Sequence, residues 1–415
     1  MLNFKNNRNK LEYIVCLGII IIIQAIRYFP FKFGGWNQIQ LSLNYSYGFV
    51  QRAFMGTVLD VISKVCNIPW RYMRYLYGIG TMLIFTLLLI IIVWKSLQIS
   101  QKDDIMSTFF KGMSILFFVG PGWNTYYSNF ALTDVWLPIL SIFAVYLIVK
   151  DKCFVGVVAT TIICVLIHPA YVFLYFNFVL VMYVYHIFIQ DDLKKRRNII
   201  KGCVCFVLTS AMFIYMMFYA KATAHVNIDH VMSRTAEFVS KSVEEISNHK
   251  PTIEGYLFRE GTVTGVQYVI QEYWLIFLVM MVMLSPYIYE VSIYWKNVSD
   301  NAKKNREKNW WIYMLIPLGI ITTVPMYIMH NDYGRWTYAV FFYEFGIIWL
   351  LNMINDKNVV YATNCLICKV KDKKMYYYIL FFYAIVMGGF EQNLINPLVS
   401  TIETYAWKVL EIFGM

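Results

Sequence analysis

The chain has 415 residues, of which 59% are hydrophobic and only 15% charged, and its mean hydropathy is +0.53. Soluble domains average about 25% charged residues, so this composition excludes an ordinary soluble globular protein and points to one continuous bundle in lipid. The formal net charge of +11 does not indicate nucleic acid, because the basic residues gather in short gaps where they set orientation and meet anionic lipid.

A helix needs about 20 apolar residues to cross about 30 Å of hydrocarbon. Apolar runs of that order lie at 12–28, 73–96, 109–120, 132–149, 153–167, 170–189, 201–220, 270–294, 309–329, 337–354 and 375–391. They predict an all-α, polytopic transmembrane helical bundle of eleven spans, a single integral membrane domain over residues 1–415. The first run lacks a small-residue cleavage site and reads as an anchor. Most of the 36 Lys and Arg fall in alternate gaps, at Lys5–Lys10, Lys95–Lys111, Lys150–Lys152, Lys194–Lys201, Lys296–Lys308 and Lys357–Lys374. The positive-inside rule places those gaps and the N-terminus in the cytoplasm and the C-terminus outside. The runs 109–120 and 153–167 are short, so they tilt, lie buried in protein or re-enter. Removing either would carry the cluster at Lys194–Arg197 to the outer side.

The first external segment, 29–72, is basic for an outside loop, with Lys32, Arg52, Lys64 and Arg71. From Gln51 to Val65, helical spacing places Phe54, Val58, Val61, Ile62 and Val65 on one face, which predicts an interfacial helix. Before it, Tyr45-Ser46-Tyr47-Gly48-Phe49-Val50-Gln51-Arg52 reads as a shaped turn. Arg52 at the start of that helix either binds phosphate, aided by backbone donors, or snorkels to lipid headgroups. In the second gap, 121–131, the chain leads into Thr133-Asp134-Val135-Trp136. Asp134 either caps the helix that follows or belongs to a site. At the third, His168-Pro169-Ala170, the imidazole is either a general base or a partner for the carbonyls that Pro169 releases.

The long external loop, 221–269, predicts a second amphipathic helix at 228–247, with Val231, Thr235, Phe238, Val239, Ser242 and Ile246 on one face. Asn227 or Asp229 caps its start, and Pro251 and Gly255 end it. His225 and His230 are five apart, a poor match to a helical zinc pair. Arg259-Glu260-Gly261 is either a substrate contact or solvated surface. The last outer turn is His330-Asn331-Asp332-Tyr333-Gly334-Arg335-Trp336. Asp332 and Arg335, three apart, either pair with each other or line the mouth of the bundle.

There is no Walker A loop, HExxH or GxSxG, and the one CxxC, Cys365 and Cys368, stands alone in a basic gap. Acids within or near the spans are few: Glu290 and Glu344, with no charge chain between them.

The stretches Tyr47-Gly48-Phe49-Val50-Gln51-Arg52 and Asp332-Tyr333-Gly334-Arg335-Trp336, with the span count and the one long outer loop, resemble bacterial Wzy-type polysaccharide polymerases. These belong with the wider membrane glycosyltransferases of the GT-C kind. The resemblance covers the whole chain as architecture and only these stretches as sequence. Metal-dependent members carry an acidic motif in the first external loop, whereas here 29–59 holds no Asp or Glu. The metal-free type is what remains.

That resemblance implies a multi-pass protein of the bacterial cytoplasmic membrane. Its substrate would be a polyprenyl-diphosphate-linked glycan, and its partners the lipid bilayer and other polysaccharide-assembly membrane proteins. Arg52, Arg335 and Arg259 would hold the diphosphate. His168 or His330 would take the acceptor's proton, with Asp332 as base or orienting group. Asp134, Tyr47 and Trp336 would contact substrate. Trp36, Trp123, Tyr126, Tyr127 and Trp336 either stack on sugar rings or form the interfacial aromatic belt. The scheme needs no metal and no cofactor. A transporter or flippase of lipid-linked saccharide is the alternative; it requires a polar path through the bundle. A scaffold or an acyltransferase stands behind both.

Overall fold

The computed structural model describes residues 35–99, 130–190, 194–219, 227–250, 274–329 and 333–373, with the single positions Gly18, Gly112, Met375 and Ile379. These residues are helices and their connections, with no strand among them. In chain order the first group is α1 (Gly35–Ser42), α2 (Phe54–Cys66) and α3 (Trp70–Ile99). Next come α4 (Trp136–Val149), α5 (Phe154–Ile167), α6 (Tyr171–Leu174), α7 (Phe176–Tyr185), α8 (Lys195–Phe218) and α9 (Ile228–Val239). The last group is α10 (Trp274–Lys304), α11 (Ile312–Leu315), α12 (Val324–Met329), α13 (Tyr333–Met353) and α14 (Lys357–Asp372).

By length and apolarity, two described segments suffice to cross a membrane: Lys195–Phe218 and Ile312–Met329. A third is gained if the bent pair Gly334–Met353 and Lys357–Lys369, turned by 110°, counts as one span. Thr133–Val149, Phe154–Ile167 and Phe176–Ile189 are apolar but shorter. The expected runs at 12–28, 109–120 and 375–391 lie outside the described residues. α8 exposes Ile200, Phe206, Val207, Leu208 and Phe218, an apolar surface that water does not tolerate at this extent and that hydrocarbon does.

The heart of the bundle is the hairpin of α4 and α5, against which α7 and α8 pack. α4 ends because Asp151 adopts a left-handed conformation, φ 48°, which Asp accepts more readily than most residues. Lys152 N–H then closes onto the Leu147 carbonyl at 2.9 Å. α5 ends at His168, because Pro169 cannot continue a helix. At 14 residues α5 rises about 21 Å, well short of a bilayer's hydrocarbon. Its burial among α4, α8 and α6 is what such a length requires.

The core is aromatic. Trp295, Trp336, Tyr171, Tyr175, Tyr313, Tyr338 and Tyr343 are all but fully buried. Tyr343 donates to the Ile316 carbonyl at 2.5 Å, and a methyl group at Gly319 would stand 2.1 Å from that hydroxyl. Gly319 is therefore the gap into which Tyr343 fits.

Two expectations change in the structure. The basic gap after α13 is not a loop: it forms α14, capped by Asp356, whose carboxylate accepts from Asn358 N at 3.0 Å and Val359 N at 2.9 Å. Cys365 and Cys368 lie on that helix. The amphipathic helix expected at 228–247 stops at Val239, because Ser240 turns left-handed at φ 57°, and a 310 turn follows at Glu244–His249. Its predicted cap at Asn227 is present, accepting from His230 N at 3.2 Å.

Candidate functional site

α1, α2 and α9 form a cap whose own small core is Ile39, Leu43, Tyr47, Val50, Ala53, Val231, Met232, Ala236 and Ile246. The stretches 35–66 and 227–249 are therefore one packed unit. α2 approaches α1 so closely that a methyl at Gly56 would lie 1.8 Å from the Leu43 carbonyl oxygen. Charge holds the edge of this unit. Asp60 accepts from Arg234 at 2.8 Å and pairs with Lys64 at 2.7 Å. Burial raises the Asp60 carboxyl pKa, but the two cations outweigh it and leave it below the ordinary value. The Arg234 guanidinium lies 3.7 Å from the Trp70 ring centroid, a cation–π contact.

The cap reaches the bundle through α1. Asn37 donates to the Phe130 carbonyl at 3.0 Å, and Thr133 donates to Gln40 at 3.0 Å. Asp134, beside Thr133, is 2% exposed. It is not the expected cap: the turn Thr133–Val135 has Leu132 at its N-cap position and no side-chain capping bond. Instead Asp134 Oδ2 accepts from Arg335 Nη1 at 2.9 Å. Asp134 Oδ1 lies 3.9 Å from His168 Nε2. Three gaps between apolar runs thus meet in one buried cluster, from the start of α4, the α5–α6 corner and the start of α13.

The chemistry of the cluster follows from its hydrogen bonds. His168 Nδ1 accepts from Ala170 N–H at 3.0 Å, so Nδ1 carries the lone pair and the neutral ring's proton sits on Nε2, toward Asp134. The backbone N–H of Ala170 at the corner is thus one partner of His168. Arg335 stands 4.9 Å from the Trp336 ring centroid. Asp134 fixes the plane of the guanidinium fork, whose five donors suit a phosphate or carboxylate.

The remaining predicted residues divide clearly. Trp336 is 1% exposed, so its ring is core and offers no open face to a sugar. Tyr47 is 5% exposed and its hydroxyl is hydrogen-bonded to His230 Nδ1 at 2.8 Å, which makes it part of the cap's interior. Arg52 precedes α2 rather than starting it, in a left-handed turn at φ 63°. Its neighbour Gln51 donates to the Met216 carbonyl at 2.7 Å, tying the turn to α8. His330, Asp332 and Arg259 lie outside the described residues, as do Trp123, Tyr126 and Tyr127. Sequence reasoning missed Asn37 and Gln40. Their signal was the run of amides Asn37, Gln38 and Gln40 in a short helix, positions that are favourable when buried only if they face a partner.

No family model, curated protein or solved structure matches this chain.

Proposed function

We propose that this protein is a metal-independent membrane glycosyltransferase that polymerises or transfers polyprenyl-diphosphate-linked glycan units on the external face. One observation carries the reading: Asp134, His168 and Arg335, from three separate outward gaps, converge in a single buried cluster. An acceptor hydroxyl attacks the anomeric carbon, the glycosidic oxygen–carbon bond forms, and polyprenyl diphosphate leaves with the electron pair. Arg335 faces the charge that develops on the leaving diphosphate, and Asp134 holds its fork in place. His168 presents an N–H to the cluster, the arrangement of a donor that orients Asp134 or supplies a proton. The acceptor's proton then passes to Asp134, or to His330 or Asp332 of the adjoining turn. Arg52 and Arg259 are the further cations of the scheme.

The test is complementation of a strain lacking the gene, with surface glycan length read on gels. Arg335→Ala is expected to lower polymer output about 100-fold and to leave unpolymerised units outside. Normal chain length in Arg335→Ala and Arg52→Ala would sink the reading. A second reading, transport of a lipid-linked saccharide, draws on Glu344. This acid lies 1% exposed within α13; its Oε2 accepts from Trp295 Nε1 at 3.0 Å, while Oε1 has no hydrogen-bond partner among the described residues. Buried intramembrane acids serve ion coupling in many transporters. Under that reading Glu344→Gln strands substrate on the inner side instead.

A further inference from the structure

α10 and α13 meet through long side chains. The Tyr287 ring packs against Phe341, with centroids 4.2 Å apart, and lies 6.1 Å from Phe345. On the same side the Trp295 indole N–H donates to Glu344 Oε2 at 3.0 Å. Trp295 and Glu344 are each 1% exposed. Among the described residues Glu344 has no ion-pair partner and no second hydrogen bond, and its Oε1 is buried and unbonded. Two titratable groups face it, Tyr287 from α10 and Tyr343 from α13 itself. The Tyr343 hydroxyl is committed to the Ile316 carbonyl. The Tyr287 hydroxyl, like Glu344 Oε1, is buried without a hydrogen bond.

An ionised Glu344 would hold a full charge against one neutral donor and aromatic rings. Desolvating an unpaired charge costs more than neutralising it, so a group in this setting takes a proton. A metal ion would need several more oxygen ligands, whereas a proton needs neither these nor a cavity. We propose that Glu344 is a proton-binding site in the interior of the bundle, with the proton on Oε1 when α10 and α13 are packed together. Oε2 then remains the carbonyl oxygen that accepts from Trp295. Loss of the proton leaves a bare charge beside Phe341, Phe345 and Tyr287, and favours parting of α10 from α13 until water reaches the acid. The site shares no residue with the Asp134 cluster and does not rest on glycosyl transfer. For the transport reading it names the coupling ion, and it stands without that reading.

The experiment uses the full chain reconstituted in phosphatidylcholine vesicles at neutral pH. Dicyclohexylcarbodiimide, an apolar reagent that adds to protonated carboxyls, is applied, and adducts are located by mass spectrometry of peptides. The acid O–H adds across one C=N bond of the reagent, and the product rearranges to a stable N-acylurea. Glu344 in the wild-type chain is expected to carry this adduct. Infrared spectra cover the case in which the reagent cannot enter the packed interface. The carbonyl band of a protonated carboxyl is expected in wild type and is lost in Glu344→Gln, which keeps an oxygen for Trp295. Glu344→Asp, which keeps the acid, displaces the band and serves where the Gln variant does not fold. Absence of both adduct and band in wild type overturns the proposal. So does a band unchanged in the variants when Glu344 carries no adduct. Neither readout depends on glycan length, so failure here is separate from failure of the glycosyl-transfer reading.

Discussion

The bundle buries a carboxylate at each end, and it treats the two differently. Asp356, at one end, accepts four hydrogen bonds: Tyr185 at 2.8 Å and Tyr313 at 2.7 Å on one oxygen, and two backbone N–H groups of α14 on the other. Asn358, beside it, donates to both carboxylate oxygens of Glu307 at 2.9 and 3.0 Å. Every contact is short and neutral donors dominate, the condition of a closed structural knot. Asp134, at the other end, accepts from the Arg335 guanidinium at 2.9 Å and faces an imidazole at 3.9 Å. Neutral hydroxyl and amide donors bind helices together around Asp356, whereas Asp134 carries a charged pair. The two sites differ in the kind of donor they recruit, although both are buried and both are aspartates.

Substitutions test that separation. The largest effect is expected from Arg335→Ala, which strands the Asp134 carboxylate and costs about 3–5 kcal/mol in unfolding measurements, besides the loss of polymer. The double variant Asp134→Ala/Arg335→Ala should regain most of that stability and none of the activity. Recovery of both would erase the contrast between the two ends. Next is Asp356→Ala, expected to cost about 3 kcal/mol through the lost cap and two stranded tyrosine hydroxyls. Chain length per folded molecule, read by gel against protein amount, should stay unchanged. Asp356→Asn keeps one acceptor oxygen and should fall between wild type and alanine. Gly56→Ala comes third. It forces α2 off α1 and is expected to cost about 1–3 kcal/mol, localised to the cap in hydrogen exchange. The smallest effect belongs to Asp151. Its folded carboxyl titrates below its unfolded value of 3.8, so its contribution is fully present above about pH 4. That contribution is lost as pH falls toward 2. The difference in melting temperature between wild type and Asp151→Asn should shrink over that window and stay flat above it.

Much of the helical order was legible in the sequence because apolar length and helix stops are local. Pro169 ends α5, Asn227 starts α9, and the residues Phe54 to Val65 belong to a helix, as spacing requires. The candidate site was legible only as ingredients. Local reasoning gave Arg335 an acid three residues away, whereas the partner in the structure, Asp134, is 201 residues distant in the chain. Which outer gaps meet depends on how whole helices pack, and no short window of sequence contains that. The basic gap after α13 misled for a different reason. Its lysines suggested a solvated loop and hid the stripe Val359, Ala362 and Ile367, buried on one side of α14.

α13 begins within two residues of Arg335 and ends three residues before Asp356. It is a rod of about 31 Å fastened at both tips, one by a salt bridge and the other by the tyrosine knot. Such a rod has little freedom to slide along its axis or spin about it. Any movement at the Asp134 end would therefore carry the start of α4 and the start of α13 together, because the salt bridge joins them.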